Sequence, residues 1–288
     1  MSGERSNLEV LAKEAGVTPH VAIYGGGSMA KCISEGALNT EFISKHQISI
    51  STKSTASAMG WTNNGYQNVY TDVNEQSRTH SEGIAIIGVK PQARNSLWSS
   101  KVDFSKYNAI VSLMAGITTE TLENEISEFC PNPPPIIRIF PNSPCAVGKG
   151  TTLICNNKKV SEKTFKLVKA LVETFSTVHI IDENQINAAG ALTASSPAWT
   201  YMYIESLADG GVLSGLPRSE AMKYAAEAVI GAAQMVLARG CKNPGSLKDE
   251  VCSPAGTTIA GVRQLEKTCF RSGVMEAVKA ATDRAKEL

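Results

Sequence analysis

The sequence predicts an α/β protein, a doubly wound and mainly parallel sheet followed by an all-α domain. Three observations carry this. Short β-branched runs alternate with helical stretches between residues 20 and 182, and several of these runs are apolar on successive residues, as in strands covered on both faces. After Asp182 the strand pattern stops and alanine-rich helical segments take over.

Taken in order, the opening segment MSGERSNLEVLAKEAGVTP mixes Glu4, Glu9 and Glu14 with Arg5 and Lys13. A secretory leader needs an apolar core and an organellar presequence avoids acids, so residues 1–19 read as an N-terminal extension, helix or tail, of a cytoplasmic protein. The strand runs are HVAIY, QISIST, IAIIGV, AIVSLM, PIIRIF, TTLIC and VHIID. Helices fall between them at TETLENEISEF and SEKTFKLVKALVETF. In the second, Phe165, Val168, Val172 and Phe175 recur at helical spacing behind Ser161, a cap residue. Residues 20–182 are thus expected to form one domain and 183–288 a second. In the second, SEAMKYAAEAVIGAAQMVLARG runs as a helix from near Ser219 to a stop at Gly240, and SGVMEAVKAATDRAKEL makes another at the end. WTYMYIESLADGGVL is apolar around much of its circumference; a small helical domain has little with which to cover it, so a homodimer through this half is expected.

The chain has 288 residues, with 28 basic and 27 acidic side chains. So even a balance gives no field to attract nucleic acid or an anionic membrane. No stretch approaches the roughly 18 uninterrupted apolar residues of a membrane span. The seven cysteines are scattered and never spaced C-x-x-C, which argues for reduced thiols and against a disulfide framework or a metal cage.

Gly25, Gly27 and Ala30 form the pattern G-x-G-x-x-A between the first strand and a helix. The first glycine allows a tight turn, the second lets backbone approach a pyrophosphate, and the small third residue lets helix and strand pack closely. The helix then offers its unpaired N–H groups to the anion. A glycine-rich turn with no ligand is the plainer alternative; the position after the first strand of a parallel pattern favours a dinucleotide. At the end of the second strand, where a carboxylate would accept from a free ribose hydroxyl, stand Ser51, Thr52, Lys53 and Ser54. A cation among hydroxyls suits the 2′-phosphate of NADPH, with NADH still possible and an ordinary polar loop the alternative.

The chain lacks a Y-x-x-x-K pair and an H-E-x-x-H helix, and its four histidines read as strand-edge or loop residues. In the helical half, Ser253, Pro254 and Gly256 form a turn and Thr257 and Thr258 open a helix. Backbone donors and hydroxyls then gather at a positive helix end, either a plain cap or a receptor for a small carboxylate.

The turn at Gly25–Ala30, IIGVKPQ, SLMAGIT, IRIFPNSPCAVGKG and the long block GLPRSEAMKYAAEAVIGAAQMV to PGSLKDEVCSPAGTTIAGVRQLE together resemble pyrroline-5-carboxylate reductase, in order and spacing, from residue 20 onward. The resemblance implies an N-terminal Rossmann domain, a helical dimerisation domain, and reduction of the imine Δ1-pyrroline-5-carboxylate to L-proline with NADPH or NADH by a homodimer or a ring of dimers. It implies cofactor contacts at Gly25, Gly26, Gly27, Ser28 and Met29, with Thr52 and Lys53 near the adenosine phosphate, Asn74 at the adenosine, and Val89, Lys90 and Pro91 after the buried strand. Ala115 falls beside the nicotinamide and Glu183 is a further cofactor contact at the domain seam. Ser253, Gly256, Thr257 and Thr258 become the carboxylate cradle, with Thr258 the hydrogen-bonding partner nearest the reaction. The chain departs from the family at TASSPAW, where a glycine-rich entrance to the long helix is usual, and in its residues ahead of the first strand. Two rival readings are a related two-domain imine or hydroxyacid dehydrogenase and an NADPH-binding sensor module without catalysis.

Overall fold

A computed structural model describes residues 7–155, 159–241 and 243–287; the first six residues of the expected N-terminal extension and residue 288, the last of the segment expected to be a helix, lie outside the described residues. The chain divides into two compact units, one comprising residues up to Ala194 and from Ala281 on, the other Ser195–Ala280.

The first unit opens with α1 (Asn7–Ala15), then β1 (Val21–Tyr24), α2 (Ser28–Asn39), β2 (Ile48–Ser51), α3 (Thr55–Asn63), β3 (Asn68–Tyr70), α4 (Val73–Thr79) and β4 (Gly83–Ile87). It continues with α5 (Arg94–Trp98), β5 (Tyr107–Ser112), α6 (Thr119–Ser127), β6 (Ile136–Phe140), β7 (Gly150–Cys155), α7 (Glu162–Glu173), β8 (Ser176–Ile181) and α8 (Ile186–Gly190). The strands form one eight-stranded sheet in the order β3-β2-β1-β4-β5-β6-β7-β8. Every pairing is parallel except β6 with β7. β3 is not legible in the sequence: it has three half-buried residues, one of them Asn68, and owes its form to pairing with β2.

Alternation along β1 explains the two layers. Val21 and Ile23 enter one core with Ile33, Ile50, Val111 and Leu171, while Ala22 and Tyr24 enter the other with Ile87, Phe104 and Leu122. Central strands are therefore buried throughout, as their continuous apolar runs require. Leu8 and Ala12 of α1 join the first core, so the N-terminal helix is part of the packed unit. The Ser161 cap is present: its hydroxyl accepts from the Thr164 N–H at 3.1 Å.

The chain leaves β1 for β2 and β3 on one side and returns to β4 on the other. Between β1 and β4 the crossovers change direction, which opens a crevice at the carboxyl ends of those strands. The first unit runs past the boundary expected at residue 182 because Ile186 is buried against Leu153 and Cys155, and Glu183 is bonded into β6 and α6.

Then come α9 (Ser196–Leu213), α10 (Arg218–Ala238), α11 (Pro244–Val251), α12 (Thr257–Lys267) and α13 (Phe270–Ala285). A π-helical turn, Ala191–Ser195, precedes α9. α9 and α10 pack through small residues, with Ala208, Ala221 and Ala225 buried. Tyr201, Met202, Leu213, Ile230, Leu237 and Met275 are exposed. No helix among the described residues is long and apolar enough to cross a membrane.

Candidate functional site

The glycine turn sits at the sheet's switch point. Gly25 has φ of +112°, and a Cβ there would lie 2.7 Å from the Val89 nitrogen and 2.8 Å from the Gly88 carbonyl carbon. Only glycine meets both demands. The Gly25 and Gly26 N–H groups both donate to the Ser51 carbonyl, at 3.1 and 3.0 Å, and Gly27 N–H donates to the Gly25 carbonyl at 2.9 Å. The glycine donors are thus spent on shaping the turn. Those left for an anion belong to Ser28 and Met29, in the first turn of α2, where the helix presents its positive end. Gly27 faces open space, with no atom within 4 Å of where a Cβ would stand.

From this turn a cavity of about 360 Å³ extends along the strand ends, lined by Gly25, Thr52, Lys53, Asp72, Val89 and Ser100 among others. Thr52 is buried and its hydroxyl donates to the Ser54 carbonyl at 3.1 Å, so Lys53 is the exposed cation of this loop. Ser54 caps α3, accepting from Ser57 N–H at 3.3 Å. Asp72, the residue before α4, places an acid at this end of the cavity. Its carboxylate caps α4 by accepting from Asn74 N–H at 2.8 Å, which uses its charge locally. Tyr24 forms part of the lining; its hydroxyl shares a 2.8 Å hydrogen bond with Tyr107, and burial pushes its pKa up to about 12, so the ring stays neutral.

Gly25, Thr52, Lys53 and Val89 are therefore brought together in one cavity. Gly26, Gly27, Ser28 and Met29 continue its turn, Lys90 and Pro91 follow Val89, and half-buried Asn74 stands in the first turn of α4 beside the lining residues Asp72 and Val73. Ala115, half-buried beyond the end of β5, is not among the lining residues.

Glu183 is placed elsewhere. Its carboxylate accepts from Thr119 N–H at 2.8 Å, from the Thr119 hydroxyl at 2.5 Å and from the Arg138 guanidinium at 3.0 Å. A carboxylate with these three donors caps α6 and neutralises a buried arginine, and it is not among the residues lining the cavity.

In the helical unit, Gly256 precedes α12 in extended conformation and leaves the first-turn N–H groups of Thr257 and Thr258 facing outward with their exposed hydroxyls. A Cβ on Gly256 would crowd the Ser253 hydroxyl oxygen, which would have to turn aside. Ala255 takes φ of +57°, a conformation that side-chain-bearing residues adopt at a cost. Ser253, Gly256, Thr257 and Thr258 thus lie together at the N-terminus of α12. The same unit holds a larger groove of about 820 Å³, lined mainly by apolar groups of Trp199, Tyr203, Leu207, Val229, Phe270 and Val274. Lacking convergent charges, it reads as a surface for burial against protein. Of the departing segment, Ser196 and Trp199 line this groove, whereas the Thr193 carbonyl accepts from Asn142 at 2.7 Å.

One residue near the turn carries no signal in the sequence. Trp61, in α3, belongs to none of the motifs above, yet its indole N–H donates to the Gly26 carbonyl at 3.1 Å.

Residues 183–288 match a family model described as pyrroline-5-carboxylate reductase dimerisation, and residues 20–116 match one described as NADP oxidoreductase coenzyme F420-dependent. A Caenorhabditis elegans protein provisionally named pyrroline-5-carboxylate reductase 4 is 43% identical, over 92% of this chain and 91% of its own length. The pyrroline-5-carboxylate reductase of Arabidopsis thaliana is 35% identical over 93% of this chain and 95% of its own. Among solved structures, the Plasmodium falciparum pyrroline carboxylate reductase with NADP bound superimposes with a TM-score of 0.80 at 28% identity, covering 93% of this chain and 97% of that one. The Streptococcus pyogenes 1-pyrroline-5-carboxylate reductase gives 0.81 at 28% identity, over 93% and 98%. Relatives this similar over nearly the whole length, together with a dinucleotide turn at the switch point of the expected sheet, establish that the chain belongs to the pyrroline-5-carboxylate reductase family.

Proposed function

We propose that the chain reduces the C=N bond of Δ1-pyrroline-5-carboxylate to give L-proline, using NADPH or NADH, as the last step of proline biosynthesis in the cytoplasm. The observation that carries the reading is the free positive end of α2 at Ser28 and Met29, set over an open Gly27 at the switch point. That end fits a pyrophosphate in charge, donor number and room.

Gly25, Gly26 and Gly27 hold the turn, and the Ser28 and Met29 N–H groups receive the pyrophosphate. Lys53, with Thr52 and the N-terminus of α3 beside it, receives the adenosine 2′-phosphate. No carboxylate at the end of β2 opposes it, so NADPH is the favoured form. Asn74 serves the adenosine, Val89, Lys90 and Pro91 continue the wall, and Ala115 lies beside the nicotinamide. Glu183 acts indirectly, by fixing α6 to β6.

A reduced nicotinamide held there would supply the hydride that, with a proton on the ring nitrogen, turns the imine into the amine. The chain's residues have the task of holding and orienting. Ser253, Gly256, Thr257 and Thr258 take the substrate carboxylate at the end of α12 through backbone N–H groups and hydroxyls. The Thr258 hydroxyl hydrogen-bonds at the carboxylate or ring nitrogen. A protonated imine is already electrophilic, so holding the substrate in line with the hydride donor would be the main source of rate.

The domain roles follow: residues 20–182 bind the dinucleotide, and 183–288 bind substrate and a second copy. The exposed Tyr201, Met202, Leu213 and Met275 support a homodimer, or a ring of dimers, through the helical half. The test is loss of NADPH absorbance on adding Δ1-pyrroline-5-carboxylate to the purified chain. Thr258→Ala is expected to raise the imine KM about tenfold, the loss of one hydrogen bond to a charged group, with NADPH affinity retained. Equal loss of both overturns the assignment.

A further inference from the structure

We propose that Trp61 is a positioning residue for the dinucleotide turn, its indole N–H holding the Gly26 carbonyl inward so that Gly25–Met29 presents only donors to the pyrophosphate. This rests on the reading of that turn as the cofactor site.

Several observations converge on it. The indole nitrogen lies 3.1 Å from the Gly26 oxygen, and the Trp61 residue is only 2% exposed. A buried indole N–H needs an acceptor, and here it takes one on the binding loop itself. A Cβ on Gly26 would lie 2.6 Å from that nitrogen and 2.7 Å from Thr52 Cγ2, so the ring occupies the space directly beneath this glycine. The ring is itself fixed: it meets Tyr66 edge-on with centroids 4.8 Å apart, and it packs in the core that holds Ile50.

The electrostatic argument concerns the carbonyl. A peptide oxygen turned toward a pyrophosphate repels it, whereas one bonded inward leaves the Ser28 and Met29 N–H groups as the nearest dipoles. The other polar atoms of the turn are already committed, since Gly25 and Gly26 N–H bond Ser51 and Gly27 N–H bonds Gly25. The Gly26 carbonyl is the remaining one whose direction must be held, and Trp61 holds it from a different element. The bond also locks α3, whose first residues follow the Lys53 loop, to the turn.

Trp61→Phe keeps most of the packing and removes the donor. In the full-length chain, titration calorimetry should show Kd rising about fivefold, the loss of one neutral hydrogen bond, for NADPH and NADH alike, because both carry the pyrophosphate. The imine KM should hold, so the defect is confined to the cofactor. Unchanged Kd values overturn the proposal, as does a loss confined to NADPH, which would assign the residue to the 2′-phosphate loop. If the unaltered chain binds neither cofactor, the reading of the site fails as well. Should Trp61→Phe fail to fold, the indole N–H signal of Trp61 in the unaltered chain, assigned by elimination with Trp98→Phe and Trp199→Phe, decides the matter. It should be protected from solvent exchange and shift on adding NADPH; an exchanging, unmoved signal overturns the role.

Discussion

Arg138 and Glu183 form an ion pair at 3.0 Å in which the arginine side chain is only 3% exposed and the carboxylate 29%. The pair joins β6 to the segment that follows β8. Thr119 adds two donors to the same carboxylate, so α6, β6 and the end of the sheet meet at one group. Among the described residues the buried Arg138 Nε has no hydrogen-bond partner, and Glu183 is the carboxylate paired with the guanidinium.

Removing that carboxylate strands a buried cation. Losing one partner of a fully buried pair costs about 3–5 kcal/mol, and the partial exposure of Glu183 lowers the expected figure to about 2 kcal/mol for Glu183→Gln. Urea unfolding should show the lower midpoint. NADPH affinity should change little, because Glu183 lies off the cavity; a selective loss of cofactor binding would restore it as a direct contact.

Two glycines offer a matched comparison. Gly25→Ala places a Cβ against the Val89 backbone in a positive-φ conformation, and strain of about 1–3 kcal/mol should open the turn. NADPH titration should show at least a tenfold weaker Kd, the equivalent of about 1.4 kcal/mol. Gly60→Ala, inside α3 with open space around it, should instead raise stability by about 0.5–1 kcal/mol and leave the titration unchanged.

Acid should weaken the fold through His20. Its ring stacks on His80 with centroids 4.5 Å apart and bonds the buried Ser49 hydroxyl at 3.0 Å. Burial first, then the nearby His80 and His46 charges, bring its pKa down from 6.5 to about 4. Burial lowers the His80 pKa as well. Between those values the unfolded chain binds the extra proton, so stability is full above about pH 6.5 and falls as the pH drops toward 4, by about 3 kcal/mol. Chemical denaturation at a series of pH values should show this slope, and His20→Gln should reduce it.

The N-terminal helix should prove structural. Leu8 is 1% exposed, and its backbone N–H donates to the Phe42 carbonyl at 2.9 Å. Leu8→Ala should cost about 2–5 kcal/mol in unfolding free energy through the cavity it leaves. Cofactor binding by the folded fraction should hold, since α1 contributes nothing to the lining of the cavity.

Periodicity and turn chemistry determined much of this protein from the sequence. The parallel strands, the Ser161 cap, the glycine turn and the Ser253–Thr258 turn into α12 each express their physics within a few neighbouring residues: side-chain alternation, positive φ, or donors at a helix end. The tertiary structure alone decided what depends on strand order and register. It produced β3 by pairing with β2, took Glu183 to Arg138 and Thr119, spent the glycine N–H groups on Ser51 and Gly25, and set Trp61 beneath Gly26. Each of these partnerships except the Gly27 bond to Gly25 joins residues far apart in the chain, and a hydrogen bond across that distance exists only once the sheet has brought its two ends within reach.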